Sequence, residues 1–131
     1  MATALWVLLV TALLPIVCAG ISKVGGSGAD WYDNVNPREW LARRTGYQAR
    51  ANAAQANSWE ALMTLTAGLA AAFLGGVDGA VVAQVALIFL AARIAYIACY
   101  VANLATLRSL TWLLGFGSCI CLIVMGAQHA A

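Results

Sequence analysis

The chain has 131 residues, enough for one domain, and is 63% hydrophobic and only 9% charged. A soluble domain carries about 25% charged residues, and so short a chain has too little interior to hide this much apolar surface from water. Its mean hydropathy of +0.85 therefore points to lipid as the solvent, and its net charge of +2 argues against nucleic acid as a partner.

The first predicted element is a membrane span over about 2–21, close to the 20 or so residues a bilayer needs. A secretory signal is the rival reading. No Lys or Arg precedes the apolar run, and the run is longer than a signal's apolar core. Pro15 falls inside it, and a bundle tolerates the kink that proline introduces.

Residues 23–50 form the one long polar segment. Gly25-Gly26-Ser27-Gly28 reads as a flexible stretch and Asn36-Pro37 as a turn. Residues 38–44 suit a short helix ended by Gly46. Trp31, Tyr32 and Trp40 suit the headgroup layer, where amphipathic rings settle.

Span two is expected over about 51–74, with Gly68, Ala72 and Gly76 as a small-residue stripe for close helix approach. A tight turn at 75–79 carries Asp78. Span three follows over about 80–102, and 103–108 is a short connection. Span four covers about 109–127, with Gly115 and Gly117 as packing points. The fold expected is an all-α membrane protein, an antiparallel bundle of four transmembrane helices. Lys23, Arg38, Arg43, Arg44 and Arg50 lie between spans one and two, and Arg108 between spans three and four. The positive-inside rule puts both connections in the cytoplasm.

Cys18, Cys99, Cys119 and Cys121 all fall in predicted spans and read as small apolar filler. The spacing of Cys119 and Cys121 is not that of a zinc or redox pair. His129 is the single histidine and stands near the C-terminal end.

Glu60 and Arg93 each put a charge inside a predicted span. A charge at that depth is costly, so it faces a bundle interior or a watery cavity and takes a partner. On an ideal helix Arg50, Asn57 and Glu60 fall within roughly a quarter-turn, while Asn52 and Gln55 point about the other way. Arg93, Tyr96 and Tyr100 fall within about 60° of one another on span three. Two readings stand. In one, Glu60 and Arg93 neutralise each other and the amides and tyrosines join helices. In the other, Arg50, Arg93 and Arg108 hold the carboxylates of an anionic amphiphile, Glu60 takes its amine, and the amides and tyrosines meet peptide-like groups.

These residues resemble the membrane-associated proteins in eicosanoid and glutathione metabolism, the MAPEG family. Its span-two pattern is roughly Arg-Ala-(His/Gln)-x-Asn-x-x-Glu, and this chain has Ala53-Ala54-Gln55-Ala56-Asn57-Ser58-Trp59-Glu60. Its span-three pattern is Ala-Arg-x-x-(Tyr/His)-x-x-x-Tyr, met by Ala92-Arg93 with Tyr96 and Tyr100. Its span four opens on an arginine followed by a small residue and an aromatic, here Arg108, Ser109 and Trp112. The segment Tyr32-Asp33-Asn34-Val35-Asn36-Pro37-Arg38 is most like the short bacterial members. The chain departs from the pattern at Ala53, where the family has arginine. It also has only Lys23 near the end of span one, where several members carry arginine.

The resemblance implies a homotrimer in the bacterial inner membrane, with glutathione as co-substrate. It implies that Gln55, Asn57, Glu60, Arg93, Tyr96 and Tyr100 contact glutathione, with Arg50 standing in for the missing arginine. Arg108 and Ser109 would sit at the thiol, which would attack a lipophilic electrophile or a hydroperoxide. The alternative is a non-catalytic membrane protein whose polar cluster serves assembly or binds a lipid or other small ligand. A proton-coupled exporter is a third reading, but its acid belongs on span one, which here is uncharged.

Overall fold

The computed structural model describes residues 2–25 and 31–130; among these it forms five α-helices and no strand. The expected flexible stretch lies, from Gly26 on, outside the described residues. The helices are α1 (Ala2–Lys23), α2 (Pro37–Ala42), α3 (Gly46–Leu74), α4 (Gly79–Val101) and α5 (Ala105–His129). By length and composition α1, α4 and α5 are apolar enough to cross a membrane. α3 is the longest at 29 residues but does not meet that criterion, because its first half carries Gln48, Arg50, Asn52, Gln55, Asn57 and Glu60.

Local chemistry sets the ends. Pro37 opens α2 at a position where its missing N–H costs nothing. Asp78 ends the turn after α3 and caps α4, its Oδ1 accepting from the Ala80 and Val81 amides at 2.9 and 3.2 Å. α5 begins at Ala105, so Arg108 lies in its first turn rather than in the preceding connection. α1 runs unbroken through Pro15. Between α1 and α2, Asp33 Oδ1 accepts from the amides of Val35 and Asn36, and these two bonds hold its carboxyl below the usual carboxylate range.

One core cluster joins the starts of α1 and α4 (Ala4, Val7, Val82, Ala86) to the second halves of α3 and α5 (Leu65, Leu69, Ala72, Leu122). So α1 and α4 run one way and α3 and α5 the other. Toward the opposite end, Cys18, Ala54, Tyr96 and Ile97 form a smaller cluster. α3 packs on α1, α4 and α5.

Of the expected small-residue stripe, Gly68 and Ala72 lie in the packed interior and Gly76 does not. Gly68 faces α5, where a Cβ would stand 3.1 Å from the Cys119 carbonyl oxygen. Gly76 is not part of the stripe: with φ 74° it takes the left-handed conformation at the helix end. The closest approach is between Gly75 and Gly126. A Cβ on Gly126 would meet the Ala71 carbonyl and, at 2.8 Å, the Ala72 nitrogen. Gly115 is a packing point, but Gly117 is not, since a Cβ there meets nothing within 4 Å.

Gly126→Ala should therefore force α3 and α5 apart and cost about 1–3 kcal/mol. The check is thermal unfolding in mild detergent, followed by circular dichroism. Gly117→Ala in the same assay should leave the midpoint unchanged or raise it.

Candidate ligand-binding site

The site is built from Arg93 outward. Arg93 lies mid-way along α4 and is only 2% exposed. Its Nη1 donates to Asn57 Oδ1 at 3.0 Å and its Nη2 to Ser58 Oγ at 3.4 Å, both on α3. Ser58 is free to accept because its own proton goes to the Ala54 carbonyl at 2.7 Å. The guanidinium carbon lies 4.1 Å from the Tyr96 ring centroid, one turn along α4. Its Nε is buried without a partner among the described residues. Gly115 of α5 passes close by, and a Cβ there would sit 3.5 Å from Arg93 Cδ.

Glu60 is exposed and meets Arg93 indirectly. Asn57 Nδ2 donates to Glu60 Oε2 at 3.0 Å, so Asn57 joins the carboxylate to the buried cation. Both ends of the Asn57 amide are thereby committed, which fixes its orientation.

A second series of contacts runs along α4 to α5. The Tyr96 and Tyr100 rings meet edge to face, 5.5 Å between centroids. The Arg108 guanidinium carbon lies 4.6 Å from the Tyr100 centroid. Trp112 and Phe116 stack in parallel on the same helix, 5.1 Å apart.

Two adjoining cavities open between α3, α4 and α5. A groove of about 460 Å³ is lined by Asn57, Tyr96, Tyr100, Arg108, Ser109, Trp112 and Leu113. A smaller cavity of about 140 Å³ is lined chiefly by Asn57, Glu60, Arg93, Trp112, Phe116 and Cys119. Asn57 and Trp112 form the wall between them.

Seven of the nine candidate residues thus come together: Asn57, Glu60, Arg93, Tyr96, Tyr100, Arg108 and Ser109. Ser109 Oγ donates to the Ala105 carbonyl of its own helix at 3.2 Å. Arg50 and Gln55 line neither cavity. Arg50 Nε donates to the Val101 carbonyl at the end of α4, at 3.0 Å. Sequence reasoning passed over Ser58 and Phe116 and treated Cys119 as filler. Of these, Phe116 had a usable signal, since it stands one helical turn from Trp112.

A family model, the MAPEG family, matches residues 3–128, nearly the whole chain. No curated protein and no solved structure matches it.

Asn57→Leu should strand the Arg93 guanidinium without one of its two acceptors. A hydrogen bond to a charged group contributes about 1.5–3 kcal/mol, and a loss of that size is expected in detergent unfolding. Thr66→Val is the control. Among the described residues its hydroxyl bonds only to the Leu62 carbonyl of its own helix, and the change should stay within about 0.5 kcal/mol.

Proposed function

The chain belongs to the MAPEG family, a membrane family, and on that footing we propose that it is a glutathione-dependent transferase or peroxidase acting on lipophilic electrophiles or hydroperoxides. The observation that carries this reading is the groove. It sets one cation, Arg108, beside Ser109, two tyrosines and Asn57. At about 460 Å³ it falls within the roughly 300–1,000 Å³ usual for small-molecule sites. Its donors suit a peptide-like anion, and Glu60 at the adjoining cavity suits the ammonium of such a ligand.

In this reading α3 is a fourth crossing. Its 29 residues reach roughly 43 Å at 1.5 Å per residue, more than the ~30 Å hydrocarbon layer. The exposed Glu60 face of α3 would be costly against lipid. It is covered when three copies assemble, with the 23–50 connection on the cytoplasmic side of the inner membrane.

The chemistry asked of the residues is modest. The Arg108 cation favours the thiolate, the reactive form of a cysteine sulfur. The thiol proton leaves to water and the sulfur forms a bond to the electrophilic carbon, whose leaving group departs. With a hydroperoxide, the sulfur takes the terminal hydroxyl and an alcohol leaves. A second glutathione then displaces that hydroxyl as water, giving the disulfide.

A second reading is favoured by one observation. Two of the three arginines assigned to the ligand are engaged within the protein, Arg93 by Asn57 and Ser58 and Arg50 by the Val101 carbonyl. With Ala53 in place of the family arginine, the cluster would then serve assembly, or would bind a lipid or another small ligand without catalysis.

Calorimetry with glutathione separates the two. The first reading expects saturable binding by the wild type and turnover reduced about 10- to 100-fold in Arg108→Gln, the effect of a one- to two-unit rise in thiol pKa. No binding at millimolar glutathione, by protein shown to be folded and oligomeric, excludes it. The second reading expects Glu60→Gln to lose the oligomer in mild detergent. A stable oligomer in that variant counts against the assembly role.

A further inference from the structure

Tyr100 and Arg108 are joined face-on, and this contact is the end of a continuous series. Arg93 is fixed by two hydrogen bonds to α3. The Tyr96 ring lies against Arg93 at 4.1 Å, and Tyr100 meets Tyr96 edge to face at 5.5 Å. Arg108 then rests on the Tyr100 ring at 4.6 Å. The first members are buried and the last are only half-buried, so order runs from the buried end toward the groove. Arg108 has a long side chain with several free rotations, and fixing it in water costs up to about 2 kcal/mol of entropy. No carboxylate of the described residues lines the groove to hold it.

We propose that Tyr100 is a positioning residue for Arg108: the face of its ring, not its hydroxyl, holds the guanidinium over the groove at the place of the reacting thiol. This rests on the glutathione reading for its catalytic meaning. The physical claim about the guanidinium does not. It also adds to the expectation that Tyr100 contacts glutathione a role toward Arg108.

The distinction has consequences for substitution. Phenylalanine keeps the ring and removes the hydroxyl. Leucine removes the ring and keeps an apolar side chain of similar length. A ring-face role predicts that Tyr100→Phe behaves as the wild type toward Arg108 and that Tyr100→Leu does not.

The first measurement needs no glutathione. Intact protein in mild detergent is treated with phenylglyoxal, which modifies exposed guanidinium groups. The rate at Arg108 is then read by peptide mass spectrometry against exposed Arg38 as internal reference. Tyr100→Leu should raise the relative rate at Arg108 several-fold, and Tyr100→Phe should leave it unchanged. Equal rates in all three proteins overturn the proposal, as does a rate raised equally by both substitutions. Helix content and elution volume, checked for each variant, keep misfolding from passing as release of Arg108.

The second measurement is the ultraviolet titration of the bound thiolate. Tyr100→Leu should raise the midpoint toward the free-thiol value of about 8.5. Tyr100→Phe should keep the wild-type midpoint, whatever it does to affinity. If no protein binds glutathione, the functional reading fails while the phenylglyoxal result still decides the positioning role. If glutathione binds and the midpoint does not move in Tyr100→Leu, the positioning role fails and the functional reading stands.

Discussion

A guanidinium buried among membrane helices is the constraint on which the rest of this structure depends. Taking an ion out of water costs several kcal/mol even after relaxation. The chain meets that cost at Arg93 with three groups: the Asn57 carbonyl, the Ser58 hydroxyl and the Tyr96 ring. Two of these come from α3, so α3 must lie against α4 at that depth. On the other side α5 passes at Gly115, where an added Cβ would stand 3.5 Å from Arg93 Cδ, an ordinary contact. One buried charge therefore sets the register of α4 against α3.

This explains why α3 is the polar helix and yet the most central one. A helix that packs on α1, α4 and α5 can turn amides such as Asn57 toward its neighbours, which an outer helix could not, while its carboxylate, Glu60, stays on an exposed face. Its second half returns to small and apolar residues, and there the contact with α5 becomes close enough to require Gly75 and Gly126. The polar half positions the site. The apolar half, anchored by Leu65, Leu69 and Ala72, holds it in place.

Much of this was legible in the sequence because two periods coincide. Runs of apolar residues gave the helices α1 and α4 to within two residues, while α3 and α5 begin five and four residues before the expected spans; a charge inside such a run singled out Glu60 and Arg93. Helical spacing then grouped Tyr96, Tyr100 and Asn57 with them. What stayed hidden depends on side-chain geometry that spacing does not encode. Ser58 looks like a helix residue bonding its own backbone, and it does so; its free lone pairs become an acceptor only when α4 arrives. Opposite charges at Glu60 and Arg93 suggest a direct pair, but Asn57 is the nearer group and takes the bond. Gly117 and Gly115 look alike in the sequence, and only the direction of each toward a neighbour separates them.

The same arrangement governs how the groove can work. Arg93 is held in place by Asn57 and Ser58 at the edge of the smaller cavity. Arg108 is offered, and it stands at the half-buried end of the series, where an aromatic face supports it. An opposite charge within about 4–6 Å shifts an ionisable group by 1–3 units, and the shift grows as water is excluded. Beside that cation Trp112 and Phe116 stack as an apolar wall, and a supported charge next to an apolar wall is what the proposed reaction of a thiol with a lipid-soluble partner requires. A bilayer offers such a place only where buried groups find partners, as the two Nη groups of Arg93 do in Asn57 and Ser58.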